Sequence, residues 1–415
     1  MFQSDYRREM DRLNPSRSAL ERLDNLLEAG AAAKRPRRRL GRRAAIAAAL
    51  CAALAVTAAA AGPTVWQSLT GQLGPFAPYA APAQGTASDQ GVEVALAGSL
   101  SDGHVAKVYF TVTDPAGRLN EHTAVTAQLE TADGVPAGGS GCRVLSLDEA
   151  AGQLLVEASL EGEDSGDASI LTVTRLDPGY RYMKDARFQP PEAARTLESE
   201  TLADGATVLR AGQTPQTSPD TADFSISSMG FDSQGRFHIR LAMAEGFANR
   251  ALLAVPYNAE QEQMGATLDQ FAVDGGTDYV IGGITPADVA DMESIRVYGA
   301  YRGPEEAIQG TWILPVTLEP AEQRTITLNR QVWPYRLDAL ELSPLSVALT
   351  WRRLDGQPGH PGIQVTLRDG TQAGLEVKGG SGNPDYSYDF WLFTEPVELD
   401  DISSVTIAGE TFPVE

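Results

Sequence analysis

Beyond residue 90 the chain alternates apolar and polar positions in short runs, separated by Gly, Asp and Pro turns. "VEVAL", "KVYFTV", "SILTVTRL", "GRFHIRLAM", "ESIRVYGAY", "GTWILPVTL", "LSVALTW", "GIQVTLRD" and "SVTIAG" have the period of two that places one face of a strand in a core. Helical spacing is scarce there, with "TLDQFAVD" and "TPADVADM" the best short candidates. Three segments repeat a strand, a polar turn and a second strand: "VEVALAGSLSDGHVAKVYFTVTD", "DFSISSMGFDSQGRFHIRLAMAE" and "YRLDALELSPLSVALTWRRLD". A second correspondence joins "ITPADVADMESIRV" to "FTEPVELDDISSVTI", each expected to give a short loop or helical turn before a closing strand. The pattern predicts three β-rich modules, near 91–190, 220–320 and 325–415, built as a row of sandwiches.

The pattern before residue 90 differs. "DYRREMDRL" places Tyr6, Met10 and Leu13 at i, i+4, i+7, and "SRSALERLDNLLEAG" does the same with Leu20, Leu23 and Leu27. Two helices of this size bury too little to stand alone. Either they form a juxtamembrane tail, or they order on a partner that covers those six side chains. Ala44 to Ala61 is a run of 18 residues without a charge, Gly or Pro. As a helix it measures about 27 Å, close to the thickness of a hydrocarbon core.

Charge assigns that run a direction. Lys34, Arg35, Arg37, Arg38, Arg39, Arg42 and Arg43 precede it, and Gly62-Pro63 and Trp66 follow. Basic residues on that side put the N-terminus in the cytoplasm, with Trp66 suited to the far interface. Twelve of the 18 residues are Ala, so insertion is driven only weakly, and Ala59-Ala60-Ala61 keeps a cleaved signal as the rival reading. The expected layout is a cytoplasmic helical tail (1–43), a transmembrane helix (44–61), a Pro/Gly/Ala stalk (62–90) and the three modules outside. Residues 1–43 carry a net +6, and the rest of the chain −28. An acidic exterior argues against nucleic acid as a partner. With Cys51 in the run and Cys142 as the one other cysteine, no disulfide can form within the exterior part.

Candidate chemistry is thin. His104, His122, His238 and His360 have no metal-ligand spacing and read as ordinary surface or strand residues. "GGSGC" and "GGSGN" lack the last glycine of a nucleophile elbow. Cys142 has no histidine near it, and "EGEDSGDASI" lacks the ligand positions of a calcium loop and reads as a solvated turn. "YSYDFWLF" places Tyr386, Tyr388, Phe390 and Leu392 on one strand face and Ser387, Asp389, Trp391 and Phe393 on the other. Exposed rings there would suit carbohydrate, whereas core packing between sheets explains most of them. The expectation is a protein with no enzymatic activity, cofactor or metal.

The order of parts resembles a known family. "YRREMDRL", the basic block and apolar run, "SDQGVEVALAGSLSDGHVAKVYFTV", and the late pair "GTWILPVTL" and "ALELSPLSVALTW" are similar to the membrane-tethered, anti-sigma-factor-like proteins of spore-forming Gram-positive bacteria. Their exterior carries a β-rich domain of unassigned function. The resemblance implies a single-pass regulatory protein whose residues 1–30 hold a sigma factor or other cytoplasmic protein. Its exterior would sense a wall-associated or protein ligand. The alternatives are a structural or adhesive wall protein, for which the tail is only an anchor, and a secreted hydrolase.

Overall fold

A computed structural model describes residues 62–131, 139–162, 165–357, 359–382 and 386–414. The tail 1–43 and the run 44–61 lie outside the described residues, and with them Tyr6, Met10, Leu13, Leu20, Leu23, Leu27 and Arg37, Arg38, Arg39, Arg42 and Arg43. Among the described residues no helix is long and apolar enough to cross a membrane.

The described chain is mainly β, in several sheets and without a closed barrel. It opens with helix α1 (Pro63–Leu73) and a 3₁₀ segment (Gly74–Tyr79). Next come β1 (Ala81–Pro82), β2 (Thr86–Asp89), β3 (Val92–Ser101), β4 (Val105–Thr113), β5 (Ala124–Thr131), β6 (Gly139–Asp148), β7 (Gln153–Glu161) and β8 (Ala168–Asp177). The middle of the chain gives β9 (Tyr180–Phe188), β10 (Ser199–Thr201), β11 (Thr207–Leu209), β12 (Gln216–Ser218), β13 (Thr221–Phe231), β14 (Phe237–Met243), β15 (Ala248–Asn258), β16 (Thr267–Val273), β17 (Gly276–Gly282) and β18 (Met292–Arg302). Last are β19 (Ile308–Pro315), β20 (Arg324–Val332), β21 (Tyr335–Leu342), β22 (Ser346–Arg353), β23 (Ile363–Leu367), β24 (Leu375–Gly382), β25 (Ser387–Phe393), β26 (Ile402–Ile407) and β27 (Glu410–Pro413). The three repeated segments are the hairpins β3–β4, β13–β14 and β21–β22.

The C-terminal module shows the plan most simply. One sheet runs β20-β21-β22-β25-β24 and the other β23-β26-β27. Without its edge strand β20, this is the pairing order of a constant-type immunoglobulin sandwich. Leu340, Val347, Trp351, Trp391 and Phe393 from the first sheet meet Val365, Val405 and Ile407 from the second in one core. Both faces of "YSYDFWLF" are covered: Trp391 and Phe393 lie in that core, and Tyr388 and Phe390 pack on Ala348 on the other side.

The first module repeats the plan as β3-β4-β7-β6 against β5, β8 and β19, with β1 and β2 both on β3. The second has β12-β13-β14-β17-β16 and β15-β18-β9, with β10-β11 as a separate hairpin. The central strands β8, β18 and β26 correspond, and each follows a 3₁₀ turn: Ser165–Asp167, Asp288–Asp291 and Leu399–Asp401. The helical turn expected before the two similar tails is therefore present. "EGEDSGDASI" is its third copy. These tails do not close their sheets, because β18 and β26 each have a strand on both sides.

Module boundaries depart from the expected ones. β26 is flanked by the strand that follows it, β27, whereas β8 is flanked by β19 and β18 by β9. β8 and β18 have thus traded their following strands. The chain divides into two compact units accordingly. One comprises residues up to 116, 125–174 and from 310 onward, and the other comprises 117–124 and 175–309. Core side chains fix the trade. Trp312 of β19 is fully buried, and its indole N–H donates to the Val92 carbonyl (3.0 Å). Ala186 and Phe188 of β9 lie in the core of the second module with Ile295 and Val297 of β18.

Two further expectations are corrected. "TLDQFAVD" forms strand β16, since Asp274-Gly275 closes a two-residue hairpin onto β17 and overrides the helical spacing. Residues 62–90 are no stalk. α1 packs on the outer face of β3, and β1 and β2 pair with it. Gly98 permits this approach, for a Cβ there would stand 2.7 Å from Trp66 Cζ3 and 3.0 Å from the Ala81 carbonyl oxygen.

Candidate functional site

Two of the repeated turns meet inside the first unit. The β3–β4 turn carries Asp102 and His104, and the β21–β22 turn carries Ser343 and Ser346; all four are buried. Asp102 Oδ1 accepts the backbone N–H groups of His104 and Val105, both at 3.0 Å. Its Oδ2 accepts the hydroxyls of Ser343 and Ser346, both at 2.5 Å. The serine turn is itself closed, for Ser343 Oγ accepts the N–H groups of Leu345 (2.9 Å) and Ser346 (2.8 Å). A carboxylate this deep is tolerated because both oxygens are fully engaged by donors.

His104 extends the joint. Its Nδ1 pairs with the Tyr388 hydroxyl, and its Nε2 lies 3.2 Å from Glu341. The hydrogen bond from His104 holds the Glu341 carboxyl below the usual carboxylate range, against the opposing effect of partial burial. The linker between β19 and β20 is drawn in as well. Gln323 donates its amide to the Asp102 carbonyl, and Ala321 N donates to Ser101 O at 2.7 Å.

An apolar cluster adjoins these turns. Trp66 and Leu69 of α1 pack with Ala97, Leu100, Tyr109 and Leu155 of the first module and Leu345 of the third. Tyr79 donates to Glu398 (2.9 Å), and burial followed by this bond raises its phenol pKa. Trp66, expected at a membrane interface, is instead a core residue at 6% exposure. On the outer face of the same sheet Glu157 bonds to Arg143 (3.3 Å) and pairs with Lys107 (3.6 Å). Burial pushes its pKa up, but the two cations and hydrogen bonds from Tyr109 and Lys107 outweigh it and hold the carboxyl low. Burial and the Glu157 charge push the Cys142 thiol up to about 12, which leaves little thiolate for nucleophilic chemistry.

The second unit places another histidine in its β13–β14 hairpin. His238 lies between Asp278 (2.8 Å from Nδ1) and Asp232 (3.3 Å from Nε2), and all three side chains are sealed from solvent. Asp278 also accepts Leu209 N (2.7 Å), which ties the β10–β11 hairpin to the sheet. Asp232 Oδ1 accepts the N–H groups of Gln234 and Arg236, and its Oδ2 accepts Arg236 Nε at 2.8 Å. Burial alone would raise the Asp232 pKa, yet these bonds and the Arg236 charge bring it below the ordinary value.

His104, directly before β4, and His238, within β14, lie at or in strands as the sequence suggested, but both are buried in polar networks and neither is a surface residue. Tyr388, Glu341 and Asp278 lie far along the chain, so spacing could not reveal them, whereas Asp232 is only six residues from His238. The repeated D-G-H and D-x-x-G-x-x-H turns were the available signal. Neither cluster offers a solvent-facing nucleophile, and the carboxylates of Asp102, Asp232 and Asp278 are already committed to protein donors. These arrangements tie elements that are distant in the chain to one another.

No family model matches this chain, and no curated protein matches it. Among solved structures, a conserved domain protein from Bacillus anthracis is similar at 11% identity and a TM-score of 0.34, over 78% of this chain and 75% of that one. A likeness of that degree carries no argument about fold or function.

Proposed function

We propose that the protein is a single-pass envelope sensor of the anti-sigma type, with tandem sandwich modules outside the cell and a helical tail inside. The basic block and the apolar run 44–61 support this topology. The carrying observation is the position of α1. It begins one glycine after that run, and it packs Trp66 and Leu69 beside Leu345 at the joint of the first and third modules. A ligand that alters this joint would act on the segment nearest the span. Inside, Tyr6, Met10, Leu13, Leu20, Leu23 and Leu27 would dock a sigma factor or other cytoplasmic protein.

A pull-down from membranes of the native host tests this reading, comparing wild type with Leu20→Asp/Leu23→Asp. Recovery of a sigma factor by wild type alone is the expected result. If neither form retains a cytoplasmic partner while both remain full length in the membrane, the tail is only an anchor. The second reading, a structural or adhesive envelope protein, would then stand, and one observation already favours it: Trp333, in the third module, is 70% exposed.

A further inference from the structure

The third module has two unlike ends. One holds the Ser343–Ser346 turn that Asp102 engages. The other gathers the 333–334 hairpin tip, the β22–β23 loop and the β26–β27 turn. Register places them together: Val332 faces Tyr335, Tyr335 faces Arg353, and Ile363 faces Ile407. Leu354 N donates to the Pro334 carbonyl (2.9 Å), and the Tyr335 hydroxyl donates to the His360 carbonyl (3.1 Å). In sandwiches of this pairing order, loops at this end are the ones that immunoglobulin variable domains use for recognition.

This end presents one large ring with polar groups around it. Trp333 occupies the tip, and Leu354 beside it is 40% exposed. Arg353 forms a two-point bond with Asp355 (2.6 and 3.1 Å), and its guanidinium lies 5.3 Å from the Tyr335 ring centre. His360 is 73% exposed at its side chain, but its Nδ1 is fixed 3.0 Å from the buried Asp389 carboxylate. Asp389 is fixed in turn by Trp351 Nε1 at 2.8 Å. The imidazole is thus held in place at a solvent-facing position, which is the behaviour of a positioned hydrogen-bonding group.

Charge narrows the choice of ligand. Arg330 pairs with Glu410 (2.9 Å), Arg336 and Arg352 with Asp338 (3.1 and 3.9 Å), and Arg353 with Asp355. Anionic headgroups would need cations that are not already compensated. An apolar peptide would need more than Trp333 and Leu354. A neutral, hydroxyl-rich ring fits both conditions: its C–H face stacks on the indole, and its hydroxyls meet the carboxylate, guanidinium and imidazole edges.

We propose that this end of the third module is a glycan-binding site that takes a pyranose unit of a polysaccharide on Trp333, with Arg353, Asp355 and His360 as hydroxyl partners. The site deepens the exterior reading above, on which its biological setting rests.

The test uses the full-length chain in detergent micelles, titrated with chitopentaose, cellopentaose and maltopentaose while tryptophan emission is followed. At least one should bind and shift the emission. Trp333→Ala should weaken it at least about tenfold, whereas Trp333→Tyr retains most of the affinity and Ile313→Ala, at an exposed position of β19, changes nothing. Failure of all three glycans to bind overturns the proposal, as does binding that Trp333→Ala leaves unchanged. Sedimentation with phosphatidylglycerol vesicles that depends on Trp333, without glycan binding, would replace it with a lipid site. The outcome is separable from the cytoplasmic pull-down. Glycan binding without a cytoplasmic partner keeps this site and removes the regulatory reading, and the reverse result removes only the site.

Discussion

The Ser346 hydroxyl donates to the Asp102 carboxylate at 2.5 Å, joining turns 244 residues apart in the chain. One turn supplies only the acceptor, and the other supplies two donors, of which Ser343 Oγ is held in place by two backbone N–H groups of its own turn. Asp102→Ala would leave two hydroxyls and two backbone N–H groups without their acceptor. The expected loss is about 3 kcal/mol, seen as a lower urea midpoint together with new proteolytic cleavage in the linker 316–323. An unchanged midpoint with an intact linker would show that the joint is held elsewhere.

Helix α1 can be released without touching its own residues. A Cβ at position 98 meets both the Trp66 ring and the Ala81 carbonyl oxygen. Gly98→Ala should cost about 1–3 kcal/mol by overpacking, and amide exchange over 63–73 should quicken. Protection there equal to wild type would count against a docked helix.

Trp312 gives the traded strand its grip on the first module. Trp312→Ala is expected to cost about 3–5 kcal/mol. Because several modules are present, a single melting curve is a poor gauge, and amide exchange resolved by peptide is the better one. Protection should fall in β3, β4 and β7 and persist in β13 and β14. An equal fall everywhere would mean that the two units unfold as one.

Acid should weaken both units through different carboxylates. Glu157 and Asp232 each titrate below their ordinary values in the folded protein. Their contribution is therefore complete above the unfolded carboxylate range, about pH 4, and is lost as pH falls through the lower folded values. Glu157→Gln should be less stable than wild type at pH 7, and the gap should close toward pH 3. A gap that stays constant with pH would remove the charge from the explanation.

Strands and hairpins were legible in the sequence because each needs only local alternation and a turn. The repeats "SDGHV" and "SPLSV" even marked the two turns that meet. What they bind was not legible, since the Asp102–Ser346 bond leaves no trace in spacing. The stalk was misread for a related reason. Ala, Pro and Gly between 62 and 90 look like a linker until Gly98, on another element, makes room for Trp66. Helical spacing likewise misled at Thr267–Val273, where the Asp274-Gly275 turn that follows decides the matter. Module limits failed most, because neither β9 nor β19 announces that it belongs to a sheet other than that of the strand before it.

That exchange sets a timetable for the growing chain. β8 is synthesised long before β19, so the β5–β8 sheet keeps an unpaired edge, with a vacant place for the Trp312 indole, until Pro315 has emerged. A product that stops anywhere between β8 and β19 leaves that edge exposed and is a ready target for quality-control proteases. An in-frame excision from Tyr180 to Ala307 should have the opposite result: it leaves Pro178-Gly179 as a two-residue turn between β8 and β19 and spares their pairing. The gene can lose its middle more safely than its end.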